Sequence, residues 1–259
     1  MSFDAALQFV PTFVLVFFRV AGMFLFAPLF GSGRIPKRVK ALLALVLAFA
    51  MTSSMTPTVV IPNDTWLIAL AIGGELIFGL AMGMILSFVF IAAQWAGEMI
   101  GQQMGLNLSE VFDPQFGAQG SLIGDFYYML TLVVFLTAQG HHAMLEGVRA
   151  SFVALPLLTV GMDANLLDVI VGLFHASTTL ALRLAGPMFV TMLVVDVALG
   201  FIGKTMPQMN VMSAGLSIRS VMGMGVLIVG IGISSDVISM SIKESMVNVA
   251  HAWVGLAST

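Results

Sequence analysis

The chain has 259 residues, of which 59% are apolar and only 9% charged, with a formal net charge of −3. A water-soluble domain cannot cover its surface with so few charged groups, and 10 basic residues scattered along a near-neutral chain exclude a nucleic-acid-binding arm. With no cysteine, disulfides, thiolate zinc sites and iron–sulfur clusters are excluded too.

The class that remains is an all-α, polytopic helical membrane protein. Uncharged runs of 23 residues (41–63), 22 residues (76–97) and 20 residues (126–145) can each cross about 30 Å of hydrocarbon as a helix. They are continuously apolar rather than alternating, which excludes an outer-membrane barrel. About six hydrophobic segments are expected in a single domain covering 1–259.

In chain order, the first segment spans about 5–30, contains Pro11 and Arg19, and ends near Pro28. Met1-Ser2-Phe3-Asp4 has no basic residue ahead of it, so the segment is expected to be retained rather than cleaved as a signal peptide. Gly31-Ser32-Gly33 breaks it. Arg34, Lys37, Arg38 and Lys40 follow as the densest positive cluster, which places that loop in the cytoplasm and the N-terminus outside. A second segment at 41–55 and a third at 66–94 are separated by turns at Thr56-Pro57 and Pro62-Asn63-Asp64. Later segments are expected at 126–138, at 166–202 with an interruption at Gly186-Pro187, and at 221–234. Six crossings put Lys204 and Arg219 on the cytoplasmic side with the first basic loop. Ile242, Met246, Val249 and Trp253 recur at helical spacing and predict a C-terminal amphipathic helix over about 237–255.

One stretch resists this topology. No Lys or Arg occurs between Lys40 and Arg149, yet alternation places polar residues 98–125 in the cytoplasm without positive support. Glu98, Gln102, Gln103, Asn107, Glu110, Asp113 and Gln115 lie among apolar neighbours there. Irregular polar backbone at membrane depth is tolerated where protein or a water-filled cavity surrounds it, so a re-entrant hairpin is expected.

Enzyme signatures fail. Gly203-Lys204-Thr205 looks like the end of a phosphate loop, but Ala198 stands where its first glycine belongs. No HExxH or GxSxG string occurs, and no cofactor site is expected. His141, His142 and Glu146 are read as structural, because adjacent histidines point in different directions. Arg19, Glu75, Arg183 and Asp196 lie within apolar segments, where charge faces a partner, a pore or an ion pair. Pairing within or between subunits, or snorkelling near an interface, is the preferred reading, with a proton or ion pathway the alternative. Gly79 with Gly83, and Gly97, Gly101 and Gly105 at four-residue spacing, predict faces cleared for helix packing. Among the 20 methionines, the cluster Met206, Met209, Met212, Met222 and Met224 supplies adaptable filling.

Several strings together resemble the FliR family of flagellar export-gate proteins, which is related to a subunit of virulence type III secretion systems. They are Arg19 followed by Pro28; Ile35-Pro36-Lys37-Arg38-Val39-Lys40; Ala96-Gly97-Glu98 leading to Gln103-Met104-Gly105-Leu106; Phe112-Asp113-Pro114; Phe135-Leu136 before Gly140-His141; and Pro207-Gln208-Met209-Asn210-Val211. Gln139 and Ser217 depart from the pattern, where Asn and Pro are usual. The resemblance implies a non-catalytic subunit that assembles with FliP and FliQ, and with FlhB and FlhA, into a helical export gate. Its setting is the bacterial inner membrane at the flagellar basal body, among membrane lipids, passing unfolded exported flagellar proteins. It also implies a core loop over about 104–121 that closes the channel. In that loop Met104, Phe112 and Phe116 are candidate plug residues, and Gly105, Gly117 and Gly120 candidate bending points. The rival is a proton-coupled secondary transporter using Glu75 and Asp196, for which Gly186-Pro187 is a candidate helix break.

Overall fold

The computed structural model describes residues 3–28, 35–54, 64–106, 121–158, 165–206 and 211–257. They form seven helices and no strand: α1 (Phe3–Phe26), α2 (Lys37–Ser54), α3 (Thr65–Gln103), α4 (Leu122–Thr137), α5 (Gly140–Ala154), α6 (Asn165–Thr205) and α7 (Val211–Ala257). A helix satisfies its own backbone hydrogen bonds, as an apolar solvent requires. Among the described residues four stretches are long and apolar enough to cross a membrane: Phe9–Phe26, Thr65–Gln103, Val171–Thr205 and Ala214–Ser245. The broken pair α4 and α5 counts as a fifth if read as one span.

Helix limits differ from the expected segments at five places, the first being α2, which starts at Lys37 so that Lys37, Arg38 and Lys40 are helical rather than in a loop. α3 continues past 94 through Glu98 to Gln103, so the start of the expected re-entrant stretch is regular helix. Residues 107–120 of that stretch lie outside the described residues. α5 was not expected as a separate helix; it starts after Gln139, whose φ of 56° turns the chain sharply. The interruption expected at Gly186-Pro187 is corrected, because α6 runs through both residues. Proline removes a single backbone donor from a long ladder, and Thr191 Oγ1 donates to the Pro187 carbonyl at 2.9 Å. α7 unites the segment at 221–234 with the tail helix in one 47-residue element.

The chain forms two compact units, one of Met1–Phe88, Gln139–Leu173 and Ile242–Thr259, the other of Val89–Ala138 and Phe174–Ser241. In the first, α2 turns the small buried side chains Ala44, Ala48 and Thr52 inward, and Phe49 meets Phe9 and Phe13 of α1 edge-on at 5.9 and 6.5 Å. α1 and α3 approach to backbone contact. A Cβ built on Gly22 lies 2.5 Å from the Leu76 carbonyl oxygen, and one on Gly79 or Gly83 overlaps the carbonyl of Arg19 or Met23. Ser87 Oγ donates to the Phe26 carbonyl, closing one of the orphan acceptors at the end of α1.

In the second unit, Gly97 lets α3 and α4 touch: its built Cβ lies 2.5 Å from the Ile123 oxygen and 2.7 Å from Gly124 Cα. Phe90 meets Tyr128 and Phe135 edge-on at 5.5 and 5.6 Å. Ser121 caps α4 by accepting from Gly124 N at 3.2 Å, and the Tyr127 hydroxyl lies 3.3 Å from Ser234 Oγ.

Candidate functional site

Two constellations stand out, one in each unit. In the first, Arg19 and Glu75 are wholly buried. A charge removed from water is tolerated only when paired and hydrogen-bonded, and both conditions are met. Arg19 Nε donates to Glu75 Oε2 at 2.5 Å. Its Nη1 faces the end of α5, donating to the Leu155 carbonyl at 3.1 Å and, at 3.3 Å, to the Ser151 carbonyl and Oγ. A cation there occupies the negative end of the α5 dipole and satisfies the Leu155 carbonyl, while the Ser151 carbonyl also accepts from Leu155 N at 2.8 Å. Arg19 Nη2 makes no hydrogen bond among the described residues, but the guanidinium lies over the rings of Phe152 at 4.4 Å and Phe78 at 4.8 Å, which compensates part of that loss. Glu75 Oε1 accepts from Leu158 N at 3.3 Å, fixing a turn in which Leu158 holds a left-handed φ of 73°.

The Arg19–Glu75 pair therefore joins α1, α3 and the exit of α5. Only Phe78, one turn beyond Glu75, had a local sequence signal. Ser151 and Leu155 lie more than 130 residues from Arg19, and nothing local marks them.

In the second unit, Met104 follows the last residue of α3 and is fully buried. Gly105 has φ 75°, Gly105 N donates to the Gln102 carbonyl and Leu106 N to the Gly101 carbonyl. This is a Schellman ending, in which a left-handed glycine satisfies the last carbonyls. The expected series Gly97, Gly101, Gly105 is thus corrected: the first two lie in α3, Gly101 buried like Gly97, while Gly105 terminates the helix. Ser220 Oγ donates to the Met104 carbonyl at 3.0 Å. The Met104 side chain fills the space where a Gly223 Cβ would stand, with Met192 Cε 3.0 Å from the same point. Met192, Ser220 and Gly223 were not singled out by sequence.

Of the remaining residues, Asp196 pairs with Arg219 at 2.6 Å rather than with another intramembrane charge, and both side chains are about two-fifths exposed, a setting that contributes little stability. Arg183 is exposed on α6. Lys37, Arg38 and Lys40 lie in the first turn of α2, the first two exposed. Cations there oppose the helix dipole, so helix stability does not explain them. Arg34, Phe112, Phe116, Gly117 and Gly120 lie outside the described residues. The His141 and His142 rings are 4.4 Å apart, and among the described residues no three His, Asp or Glu could hold a metal.

Residues 10–245 match the family described as bacterial export proteins, family 1. The chain is 32% identical over 234 residues to the flagellar biosynthetic protein FliR of Bacillus subtilis (strain 168), covering 87% of this chain and 88% of that protein. It is 28% identical over 212 residues to the protein of the same name from Escherichia coli (strain K12), covering 81% and 80%. It is also 27% identical over 217 residues to the surface presentation of antigens protein SpaR of Shigella flexneri, covering 83% and 82%.

Proposed function

The chain belongs to the bacterial export proteins, family 1, and from that premise we propose that it is a structural subunit of the flagellar type III protein export gate. In this reading it forms, with FliP and FliQ, the channel that passes unfolded flagellar proteins, with FlhB and FlhA as further partners. The gate resides in the inner membrane at the flagellar basal body. The observation that carries the reading is the alignment with flagellar relatives along most of both chains. Tagged protein extracted from its native membrane in mild detergent is expected to elute as a large assembly containing FliP and FliQ. A lone chain that moves solute in liposomes overturns the proposal.

Phe112 and Phe116 are assigned to the channel plug, in a core loop that begins at Met104. Replacing both phenylalanines with alanine is expected to raise resting ion leakage across the membrane, and unchanged leakage removes their role. The transporter alternative needs carboxylates that load and release protons. Glu75, with a side chain 1% exposed, is instead held by Arg19 and Leu158 N, and Asp196 is paired with Arg219.

A further inference from the structure

Among the described residues Arg183 is a cation without a counterion, set in an apolar element. It makes no ion pair or hydrogen bond among the described residues. At 1.5 Å per residue it stands about 18 Å from the Val171 end of the apolar stretch of α6 and about 33 Å from the Thr205 end. Such a charge, in a segment of membrane-crossing length, is expensive in lipid and is relieved by a partner of opposite charge. Four residues on, Pro187 has no N–H to give to the Arg183 carbonyl, so backbone and side chain here both lack their usual partners.

Arg183 lines an open cleft of about 490 Å³ with Pro187 of α6, Tyr127 of α4, and Val221, Gly225 and Val229 of α7. Val221 and Val229 are 73% and 80% exposed, and no heavy atom lies within 4 Å of a Cβ built on Gly225. Two hydroxyls reach the cleft, those of Tyr127 and Ser234, and they face each other at 3.3 Å. Its one unmatched polar group is the guanidinium, a fork that fits a carboxylate with two parallel bonds.

We propose that this cleft seats an apolar membrane helix of a second protein, whose Asp or Glu side chain pairs with Arg183. The inference rests on the export-gate reading, because it requires an assembly. A protein carboxylate fits better than a lipid phosphate, since the two hydroxyls of the cleft are matched to each other and the guanidinium alone offers two parallel donors, enough for the two oxygens of a carboxylate and too few for those of a phosphate.

The natural chain has no cysteine, so Val229→Cys provides a single reactive thiol in the cleft. Its alkylation by a membrane-permeant maleimide is compared between the purified assembly and the isolated full-length chain in the same detergent. The thiol is expected to react freely in the isolated chain and to be protected in the assembly. In parallel, Arg183→Glu is expected to lower incorporation of the chain into the assembly by about tenfold or more, as loss of a desolvated charge pair does. Arg183→Lys should retain most of it, and a carboxylate-to-lysine change in a membrane helix of another subunit should restore the Arg183→Glu variant. An assembly that forms while Val229→Cys reacts equally in both states overturns the proposal, as does normal incorporation of Arg183→Glu. Protection of the isolated chain in detergent assigns the cleft to this chain's own residues. Protection appearing only in nanodiscs of phosphatidylglycerol, with no other protein, assigns it to lipid. Either result overturns the proposal. If the unaltered chain yields no assembly, the export-gate reading fails first and takes this inference with it.

Discussion

Removing either Arg19 or Glu75 alone is expected to destabilise the purified chain by about 3–5 kcal/mol, because each leaves a buried, uncompensated charge. Arg19→Met strands the Glu75 carboxylate among apolar groups and also frees the Leu155 carbonyl, the Ser151 carbonyl keeping its bond from Leu155 N. Glu75→Leu strands the guanidinium and releases Leu158 N from its acceptor. The double variant is expected to regain much of the loss, since an ion pair exchanged for apolar side chains is often close to neutral. Recovery should stay incomplete, because the Leu155 carbonyl and the Leu158 amide still lack partners. Denaturant titration of the four forms in a common detergent gives the coupling energy directly. Single variants within about 0.5 kcal/mol of the parent, the usual range for an unimportant surface change, contradict the assignment.

The second large effect is expected at Gly79. Its built Cβ falls on the Arg19 carbonyl, with the Met23 amide nitrogen 3.0 Å away. Backbone cannot swing aside as a methionine can, so Gly79→Val must part α1 from α3, at a cost of about 1–3 kcal/mol, toward the upper end because the clash is with backbone. The same separation stretches the Arg19–Glu75 bond, which makes this site and the ion pair non-additive. Gly147 of α5 is the control, because nothing lies within 4 Å of its built Cβ. Gly147→Ala is expected to stabilise the isolated chain by up to about 1 kcal/mol through helix propensity. If both substitutions prove neutral in the same titration, close approach of α1 and α3 is not what Gly79 provides.

The sequence made the helical class legible because uncharged runs such as 76–97 are longer than any other common element requires. It also marked Arg19, Glu75 and Asp196 as charges in need of partners, yet it could not name those partners. Ser151 and Leu155 reach Arg19 only through tertiary packing, and serine and a leucine carbonyl carry no pattern of their own. Helix ends were read worst where polarity was taken for irregularity. Glu98 and Gln102 stay helical because α3 continues until Gly105 supplies the left-handed stop. Gly186-Pro187 misled for the opposite reason: local breaking propensity was overridden within a 41-residue helix. Strict four-residue spacing at Gly97, Gly101 and Gly105 concealed two different jobs, helix contact for Gly97 and helix termination for Gly105.

The span of 56 residues between Arg19 and Glu75 also sets a clock. A chain emerges N-terminal end first, at about 5–20 residues per second, so Arg19 exists for about 3–11 s before its carboxylate is made. A lone arginine at the centre of a membrane segment opposes insertion by about 2.5–3.5 kcal/mol on translocon scales. During that interval α1 is held in the membrane by its apolar residues alone. Arrival of α3 neutralises the charge, and the later arrival of α5 supplies the remaining acceptors. Order of synthesis thus becomes order of commitment: the first segment is secured only once the third has been made.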